Sequence, residues 1–137
     1  MAEAGYSGTP LARKVGVKAG HRLVYVAAPK GWAIPGLPED VTTSARVRKG
    51  GADVIVAFCR DLASLERGID AWGEAVFPDG MVWLAWPRKA AGHVSELGDN
   101  VVRGAALTRG LVDVKVAALD EDWSAIKVVW RKENRTR

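Results

Sequence analysis

The stretch ADVIVAFCRDLASLERGIDAWGEAVFPDGMVWLAWP, Ala52 to Pro87, decides the fold. It begins with ADVIVAF and closes on MVWLAW, and continuous apolar runs of this kind are typical of parallel strands buried on both faces. Between the two runs, apolar residues recur at helical spacing, and Asp61 is placed to cap that helix. The apolar residues on this helical face are Leu62, Leu65, Ile69, Trp72 and Val76. The stretch therefore predicts a strand–helix–strand unit, which is right-handed in nearly all proteins.

Upstream of this unit the sequence predicts two more strands and a short helix. HRLVYVAA, residues 21–28, forms the first strand, and the β-branched VTTSARV, residues 41–47, forms a short strand near the sheet edge. The connection GWAIPGLPED cannot be a helix, because its prolines and glycines interrupt one. Before the first strand, TPLARKVG predicts a helix over residues 10–15, with Thr9 as its N-cap and Gly16 just past its end.

Downstream of the unit the sequence predicts a second helix and a closing hairpin. The helix runs from about residue 95 to 109, with Gly110 as its end cap. Two strands then follow, LVDVKVAAL and SAIKVVWRK, joined by the acidic turn 120–122. A connection this short makes the two strands antiparallel, since a parallel pair needs a long crossover. The residues expected to face inward from the helix are Leu97, Val101 and Ala105.

The order of these elements indicates the fold class. It is an α/β domain of three layers, with a mostly parallel sheet and a C-terminal antiparallel hairpin. The 137 residues have the length of one ordinary domain, so we predict a single α/β domain over residues 1–137. Its core spans residues 21–131, and the tail 132–137 is expected to fray.

Composition limits the classes of protein to consider. Apolar residues make up 48% of the chain and charged residues 26%, which suits a globular core. The one cysteine, Cys59, excludes an internal disulfide and a multi-cysteine metal site. No apolar run reaches the roughly 18 residues of a membrane span, and MAEAGYSGTP does not read as a secretory signal. We therefore predict a cytoplasmic protein without a membrane partner.

The basic residues give little support to nucleic-acid binding. The net charge is +4, and lysines and arginines are spread along the chain rather than concentrated on one segment. Nucleic-acid binders more often carry a dense basic patch. The clusters at 46–49, 87–89 and 131–137 are expected to be solvated surface, with nucleic acid as the less favoured alternative.

The residues from Ala52 to Lys132 resemble the second half of a class I methyltransferase fold, the type that uses S-adenosylmethionine. FPDGMVWLAWP is similar to the turn and fifth strand of that fold, and GLVDVKV with WSAIKVVWRK is similar to its closing hairpin. The resemblance implies a shortened methyltransferase-like Rossmann fold. The whole chain also resembles a family of short bacterial proteins, of actinobacterial type, to which no function is attached. That second resemblance rests on YSGTPLARKVGVKAG, DVIVAF, FPDGMVWLAWPRK and GLVDVKVAALDEDWSAIKVVWRK, and it implies no functional residues.

The methyltransferase resemblance fails where a cofactor would bind. In that fold a glycine-rich turn follows the first strand, and an acidic residue at the end of the second strand binds the ribose. Here the turn is AAPKGW, residues 27–32, in which Pro29 has no N–H group and Gly31 stands alone. The second strand ends near Arg46 and Arg48 rather than a carboxylate. We therefore expect no cofactor, and S-adenosylmethionine is disfavoured.

The strand ends predict a ligand site. In doubly wound sheets, ligands bind beyond the carboxyl ends of the parallel strands, at the point where the strand order reverses. If the three strand ends adjoin, cations and indoles meet there and could hold a flat anionic ligand. The alternative is that the two tryptophans cap the core and the cations are solvated. The predicted site consists of Lys30, Gly31, Trp32, Arg60, Asp61, Trp86, Arg88 and Lys89.

Catalytic patterns are sparse. His93 lies after the third parallel strand, on the side where a site is expected, whereas His21 lies at the opposite end of a strand. A nucleophile pair of Cys59 and His93 is conceivable, but a buried structural thiol is favoured for Cys59. The acidic residues 120–122 lack the oxygen-ligand spacing of a calcium loop and are interpreted as the hairpin turn. We assign no catalytic residue and no metal site.

The six tryptophans suggest a surface for a partner. Trp72 and Trp83 fit the core by periodicity, whereas Trp123 and Trp130 fall on opposite faces of the last strand because their spacing is odd. An exposed tryptophan near the sheet edge would suit a protein partner or a second copy in a homodimer.

Three hypotheses for the function follow. The leading one is a non-catalytic binding or regulatory module that acts through protein contact or through a small anionic ligand at the strand ends. The alternative is an enzyme that uses the same strand ends, such as a divergent S-adenosylmethionine-dependent methyltransferase. Nucleic-acid binding comes third.

Overall fold

The computed structural model describes residues 9–137. In this part of the chain, six strands form one sheet in the order β2-β1-β3-β4-β6-β5. Two single-turn 3₁₀ helices, Lys89–Ala91 and Lys132–Asn134, supplement the main elements. The main elements are α1 Leu11–Val15, β1 Arg22–Val26, β2 Thr42–Ser44, β3 Val54–Phe58, α2 Leu62–Val76, β4 Met81–Pro87, α3 Asp99–Leu107, β5 Leu111–Ala118 and β6 Trp123–Trp130.

The sheet has the predicted mixture of strand directions. β2, β1, β3 and β4 are parallel neighbours, and β6 lies antiparallel between β4 and β5. All five residues of β3 are buried, as their continuous apolar run predicted, because the sheet is covered on both faces. This arrangement confirms the α/β class, the mostly parallel sheet and the antiparallel C-terminal hairpin.

Two apolar cores lie on opposite faces of the sheet. The α2 face is covered by α2 and α3, and its core includes Ile55, Leu65 and Ile69. The α1 face is covered by α1 and by the connection 27–41, which contributes Ile34 to the same core as Trp83. Within residues 9–137, no helix is long and apolar enough to cross a membrane.

The N-terminal helix begins one residue later than predicted. Its N-cap position is Pro10 rather than Thr9, and no side chain among the described residues caps it. Pro10 has the extended ψ of 143° that a residue just outside a helix adopts, so Thr9 lies too early to act as the cap. Gly16 ends the helix with a φ of 94°, as predicted.

The third helix is shorter than predicted, and its buried face is shifted by one residue. It spans Asp99–Leu107 with Gly98 at the N-cap, and it buries Val102 and Ala106. Val101, which was predicted to face inward, is 41% exposed, and Ala105 is only partly buried. The error arose because the spacing was counted from Leu97, which is fully buried but lies in the loop before the helix.

The side chains of the C-terminal tail, which was predicted to fray, contact the folded core. Arg135 Nε donates to the carbonyl of Trp130 at 2.8 Å. Both terminal nitrogens of Arg137 donate to Glu74, at 2.7 and 2.8 Å, and its guanidinium lies 3.8 Å from the ring centroid of Phe77. The pairing lowers the pKa of the Glu74 carboxyl. These polar and stacking contacts hold residues 132–137 against α2 and β6.

Candidate functional site

The chain order places a crevice, the candidate ligand site, between β1 and β3. From β1 the chain moves outward to β2 and then returns to β3 on the other side of β1. This reversal is the point at which open α/β sheets bind ligands, beyond the carboxyl ends of the strands. The segments that follow β1, β3 and β4 meet there, and we call this edge of the sheet the rim.

Arg60 spans the crevice. It follows β3, and its Nη1 donates to the carbonyl of Ala27, at the end of β1, at 2.8 Å. The guanidinium carbon lies 5.3 Å from the ring centroid of Trp123, a favourable cation–π distance. Ala27 itself has a φ of 55°, a left-handed conformation that costs a non-glycine residue about 1 kcal/mol or more. Strained backbone of this kind is often found at ligand sites.

His93 and Asp122 form a hydrogen-bonded pair at the same rim. His93 Nε2 lies 2.9 Å from Asp122 Oδ1, and the two side chains are 42% and 60% exposed. His93 comes from the loop after β4, and Asp122 from the turn between β5 and β6. A carboxylate in this position orients the imidazole and sets which ring nitrogen carries the proton. The sequence indicates the side of the sheet on which His93 lies but not its partner, because the two residues are 29 positions apart.

A depression of about 410 Å³ joins these groups. It offers a guanidinium, an imidazole, a carboxylate and part of an indole within one concave surface, which is a common composition for a small-ligand site. Its lining residues are Pro29, Arg60, Pro87, His93, Asp122 and Trp123.

Trp32 closes the α1-face core rather than facing an open site. Its Nε1 donates to Asp120 Oδ2 at 2.8 Å, and its ring contacts Tyr25 and Phe58 edge to face, at centroid distances of 5.5 and 4.8 Å. Phe58 in turn contacts Trp123 at 4.9 Å. This chain of four rings fills the α1 face just beneath the rim.

Trp86 lies in the other core. It is 6% exposed and packs on the α2 face, opposite Trp32. The two indoles therefore do not converge on one flat anionic ligand. Each packs in a core instead, as the alternative hypothesis for the two tryptophans stated. Alternate residues of a strand point to opposite faces, and Trp86 follows the alternation set by Leu84.

The other predicted residues have separate roles. Arg88 donates to the carbonyls of Asp120 and Glu121, both at 3.3 Å, and so ties the end of β4 to the hairpin turn. Asp61 caps α2 by accepting from the backbone N–H and hydroxyl of Ser64, which lowers the pKa of its carboxyl. The remaining predicted residues are solvent-exposed: Lys30, Gly31 and Lys89.

Cys59 is a buried thiol, as favoured from the sequence. Its side chain is fully buried, and Sγ lies 3.7 Å from the carbonyl oxygen of Ala57. Burial raises the pKa of this thiol to about 12, so it stays protonated at neutral pH and is a poor nucleophile. His93 bonds to Asp122 instead, which removes the basis for a Cys59–His93 pair.

The residues that follow β1 and β2 do not fit the usual mode of binding S-adenosylmethionine. Residues 27–41, which follow β1, contain no helix whose N-terminal N–H groups could face an anionic group. β2 ends at Ser44, whose Oγ accepts from the N–H of Arg46 at 2.8 Å, and residues 44–48 include no carboxylate for a ribose. Both features agree with the turn and strand end expected from the sequence.

Comparison with known proteins gives a likeness in structure alone. No family model and no curated protein matches the chain, so the resemblance to the short bacterial family stays a prediction.

Among solved structures, a TehB-like SAM-dependent methyltransferase from Corynebacterium glutamicum matches with a TM-score of 0.60 and 12% identity, over 93% of this chain and 91% of that one. A SAM-dependent methyltransferase from Aquifex aeolicus matches with a TM-score of 0.59 and 9% identity, over 85% of both chains. A protein of the NADB-Rossmann superfamily from Streptococcus agalactiae matches with a TM-score of 0.53 and 13% identity, over 98% of this chain and 74% of that one. The chain therefore has a methyltransferase-like Rossmann fold.

Proposed function

We propose that this protein binds a small anionic molecule in the rim depression. The observation that carries the proposal is the position of Arg60, fixed across the crevice by the Ala27 carbonyl and the Trp123 ring. A guanidinium has five N–H donors, and the bond to Ala27 uses one of them. The remaining donors suit a carboxylate or phosphate oxygen, which arginine binds with fixed geometry.

The other groups in the depression narrow the class of ligand. Asp122 adds a negative charge to the same lining as Arg60, which disfavours a densely charged polyanion. His93, held by Asp122, can exchange a hydrogen bond with a hydroxyl or amide group of the ligand. The depression therefore suits a molecule that carries one acidic group and a neutral polar group.

A divergent S-adenosylmethionine-dependent methyltransferase is the second candidate. The likeness to two such enzymes over 85% or more of this chain supports it, and it favours this candidate over a non-catalytic binding or regulatory module. S-adenosylmethionine also carries a carboxylate, the kind of group that Arg60 binds. The irregular segment after β1 and the absence of a carboxylate in residues 44–48 weigh against the candidate.

Thermal unfolding in the presence of ligands tests both candidates. The probes are S-adenosylmethionine, S-adenosylhomocysteine, benzoate and AMP, each compared with sodium chloride at equal ionic strength. A ligand present at about 100 times its dissociation constant stabilises the fold by roughly 2.7 kcal/mol. Stabilisation by benzoate or AMP supports the anionic-ligand proposal, and stabilisation by S-adenosylmethionine or S-adenosylhomocysteine supports the methyltransferase.

Two variants show whether the rim is the site. R60A should abolish the ligand-induced shift, and R60K should retain part of it because the charge remains. R67A, which removes an exposed arginine on α2, is the matched control and should behave like the natural protein. Equal shifts in R60A and R67A would place the ligand elsewhere, and no shift with any probe at millimolar concentration would argue against both candidates.

A further inference from the structure

A second groove lies at the β2 edge of the sheet, on the α2 face. After β2 the chain doubles back as the extended segment 45–52 instead of forming a helix. Val47 packs against the α2-face core, and Ala52 is buried in it. Gly50 N–H donates to the carbonyl of Glu74 at 3.1 Å, which fastens the segment to α2. An extended segment covers less of a sheet than a helix of about 10 Å diameter would, and a groove remains beside it.

The groove has a volume of about 260 Å³ and a polar lining. Thr42 lies opposite Arg22, and Ser44 opposite Val24, in the pairing of β1 with β2. Paired residues share a face of the sheet, so both hydroxyls lie on the face that the segment 45–52 covers. The lining consists of Arg22, Leu23, Val24, Thr42, Ser44, Arg46, Arg48 and Gly51.

The three arginines of the groove differ in their partners. Arg22 is neutralised by Asp53, with Nε 3.1 Å from Oδ2 and Nη2 3.2 Å from Oδ1, and its Nη1 donates to the carbonyl of Gly50 at 2.9 Å. The guanidinium groups of Arg46 and Arg48 make no hydrogen bond or ion pair with any residue in 9–137. The groove therefore carries about two uncompensated positive charges beside two hydroxyl donors.

We propose that this groove binds the phosphate group of a ligand. A phosphate presents several strong acceptor oxygens, and the forked guanidinium of arginine matches that geometry. Thr42 and Ser44 supply hydroxyl donors of the kind that complete phosphate sites. Arg22 is held in place by Asp53 and forms one wall of the groove. Because this side chain is already ordered, phosphate binding costs less side-chain conformational entropy.

The groove is separate from the rim. The groove runs along β2 from Thr42 to Ser44 and Arg46, whereas the rim depression lies beyond the ends of β1, β3 and β4, and the two share no lining residue. A phosphate bound in the groove therefore does not depend on Arg60, and the two proposals can fail independently.

Amide chemical shifts during a titration with sodium phosphate test the proposal, with sodium chloride at equal ionic strength as the reference. We expect saturable shifts centred on residues 42–51. The double variant R46A/R48A should weaken binding by about tenfold or more, because two charge-assisted contacts are lost. The control R67A/R131A removes the same charge from exposed positions outside the groove and should bind phosphate unchanged. The amide spectrum of each variant also shows whether it has folded.

Further titrations identify the source of the phosphate. Tighter binding of AMP than of free phosphate at the same amides indicates a phosphorylated small molecule, and tighter binding of a single-stranded oligonucleotide indicates a phosphodiester backbone. Shifts that grow linearly and spread over all basic residues would overturn the proposal, as would equal affinity in R46A/R48A and its control. If R60A abolishes binding and R46A/R48A does not, the phosphate occupies the rim, and this inference fails while the proposed function stands.

Discussion

Asp120 illustrates how a single side chain joins distant parts of this protein. Its Oδ1 accepts from the backbone N–H groups of Asp122 and Trp123, at 2.8 and 2.9 Å, which is the local bonding expected of aspartate in a turn. Its Oδ2 accepts from the indole of Trp32, 88 residues away. The turn was predictable from the sequence because its bonds are local. The bond to Trp32 was not, because it depends on β1 and the closing hairpin ending at the same rim.

Cys59 should be inert in the folded protein. Burial raises the pKa of its thiol to about 12, so at about pH 8 a thiol reagent should label the native protein only through unfolding. Labelling with a chromogenic disulfide should be slow in buffer and immediate in concentrated urea. Because only the unfolded thiol ionises near its ordinary pKa of about 8.5, this group lowers the free energy of unfolding as the pH rises from there toward 12. Rapid labelling of the native protein would contradict the buried position.

The helices α2 and α3 show what periodicity can and cannot determine. In α2, Leu65, Ile69 and Trp72 are buried as predicted, because the side chain of Asp61 fixes the start of the helix and hence the phase of its apolar stripe. In α3 the N-cap is Gly98, which has no side chain to mark the boundary, and the predicted stripe was one residue out of phase. A helix without a clear start signal leaves its buried face ambiguous in the sequence.

Two glycine-to-alanine substitutions should shift stability in opposite directions. In α3 a Cβ at Gly104 would meet no atom within 4 Å, so G104A should raise the free energy of unfolding by about 0.5–1 kcal/mol through helix propensity. In α2 a Cβ at Gly68 would overlap the indole of Trp72, so G68A should lower it by about 1–3 kcal/mol. Urea denaturation of both variants measures the difference. An equal rise in the free energy of unfolding in both variants would show that the Trp72 ring moves aside without cost.

At the scale of the whole molecule, one sheet supports two cores of different construction. The α2 face is packed by two helices, whereas the α1 face is packed by a five-residue helix and the irregular segment 27–41. Both cores rest on the same strands, since β3 contributes Ile55 to one and Val56 to the other. The irregular segment 27–41 and the extended segment 45–52 take the place of helices. The rim depression lies beside the first of these segments and the proposed phosphate groove beside the second.

The shared sheet predicts that the two cores unfold together. Loss of either face exposes the opposite side of the same strands, so urea denaturation should show one transition, as in most small domains. Far-UV circular dichroism and tryptophan fluorescence should give coincident curves. The fluorescence that is lost in W72F reports on the α2 face and that lost in W123F on the α1 face, and these two difference signals should follow the same curve. A separate early transition of the α1 face would instead show that its irregular cover is an independent unit, against the prediction of a single domain.

The candidate site was predictable only in part. The strand–helix–strand pattern places Arg60 and His93 at the carboxyl ends of parallel strands. Ligands of open α/β sheets bind beyond these ends, so both residues could be assigned to the site from the sequence. The separation of Trp32 from Trp86 onto opposite faces did not follow, because residues 29–32 leave the strand in a turn whose direction no periodicity determines. The partnership of His93 with Asp122 required the hairpin to fold back beside β4.

The sequence by itself determined the elements that depend on local pattern: the buried strand β3, the amphipathic helix α2, and the antiparallel hairpin enforced by a short turn. It also showed that the turn after β1 has one glycine and a proline in place of a phosphate loop. The tertiary structure alone decided that Arg60 bridges to Ala27 and that the tail packs on Phe77 and Glu74. It also decided that Arg22 is neutralised by Asp53, whereas Arg46 and Arg48 have no such partner within residues 9–137. Local elements follow from interactions between near neighbours in the chain, whereas these contacts depend on which strands adjoin, and that order is fixed only when the whole sheet forms.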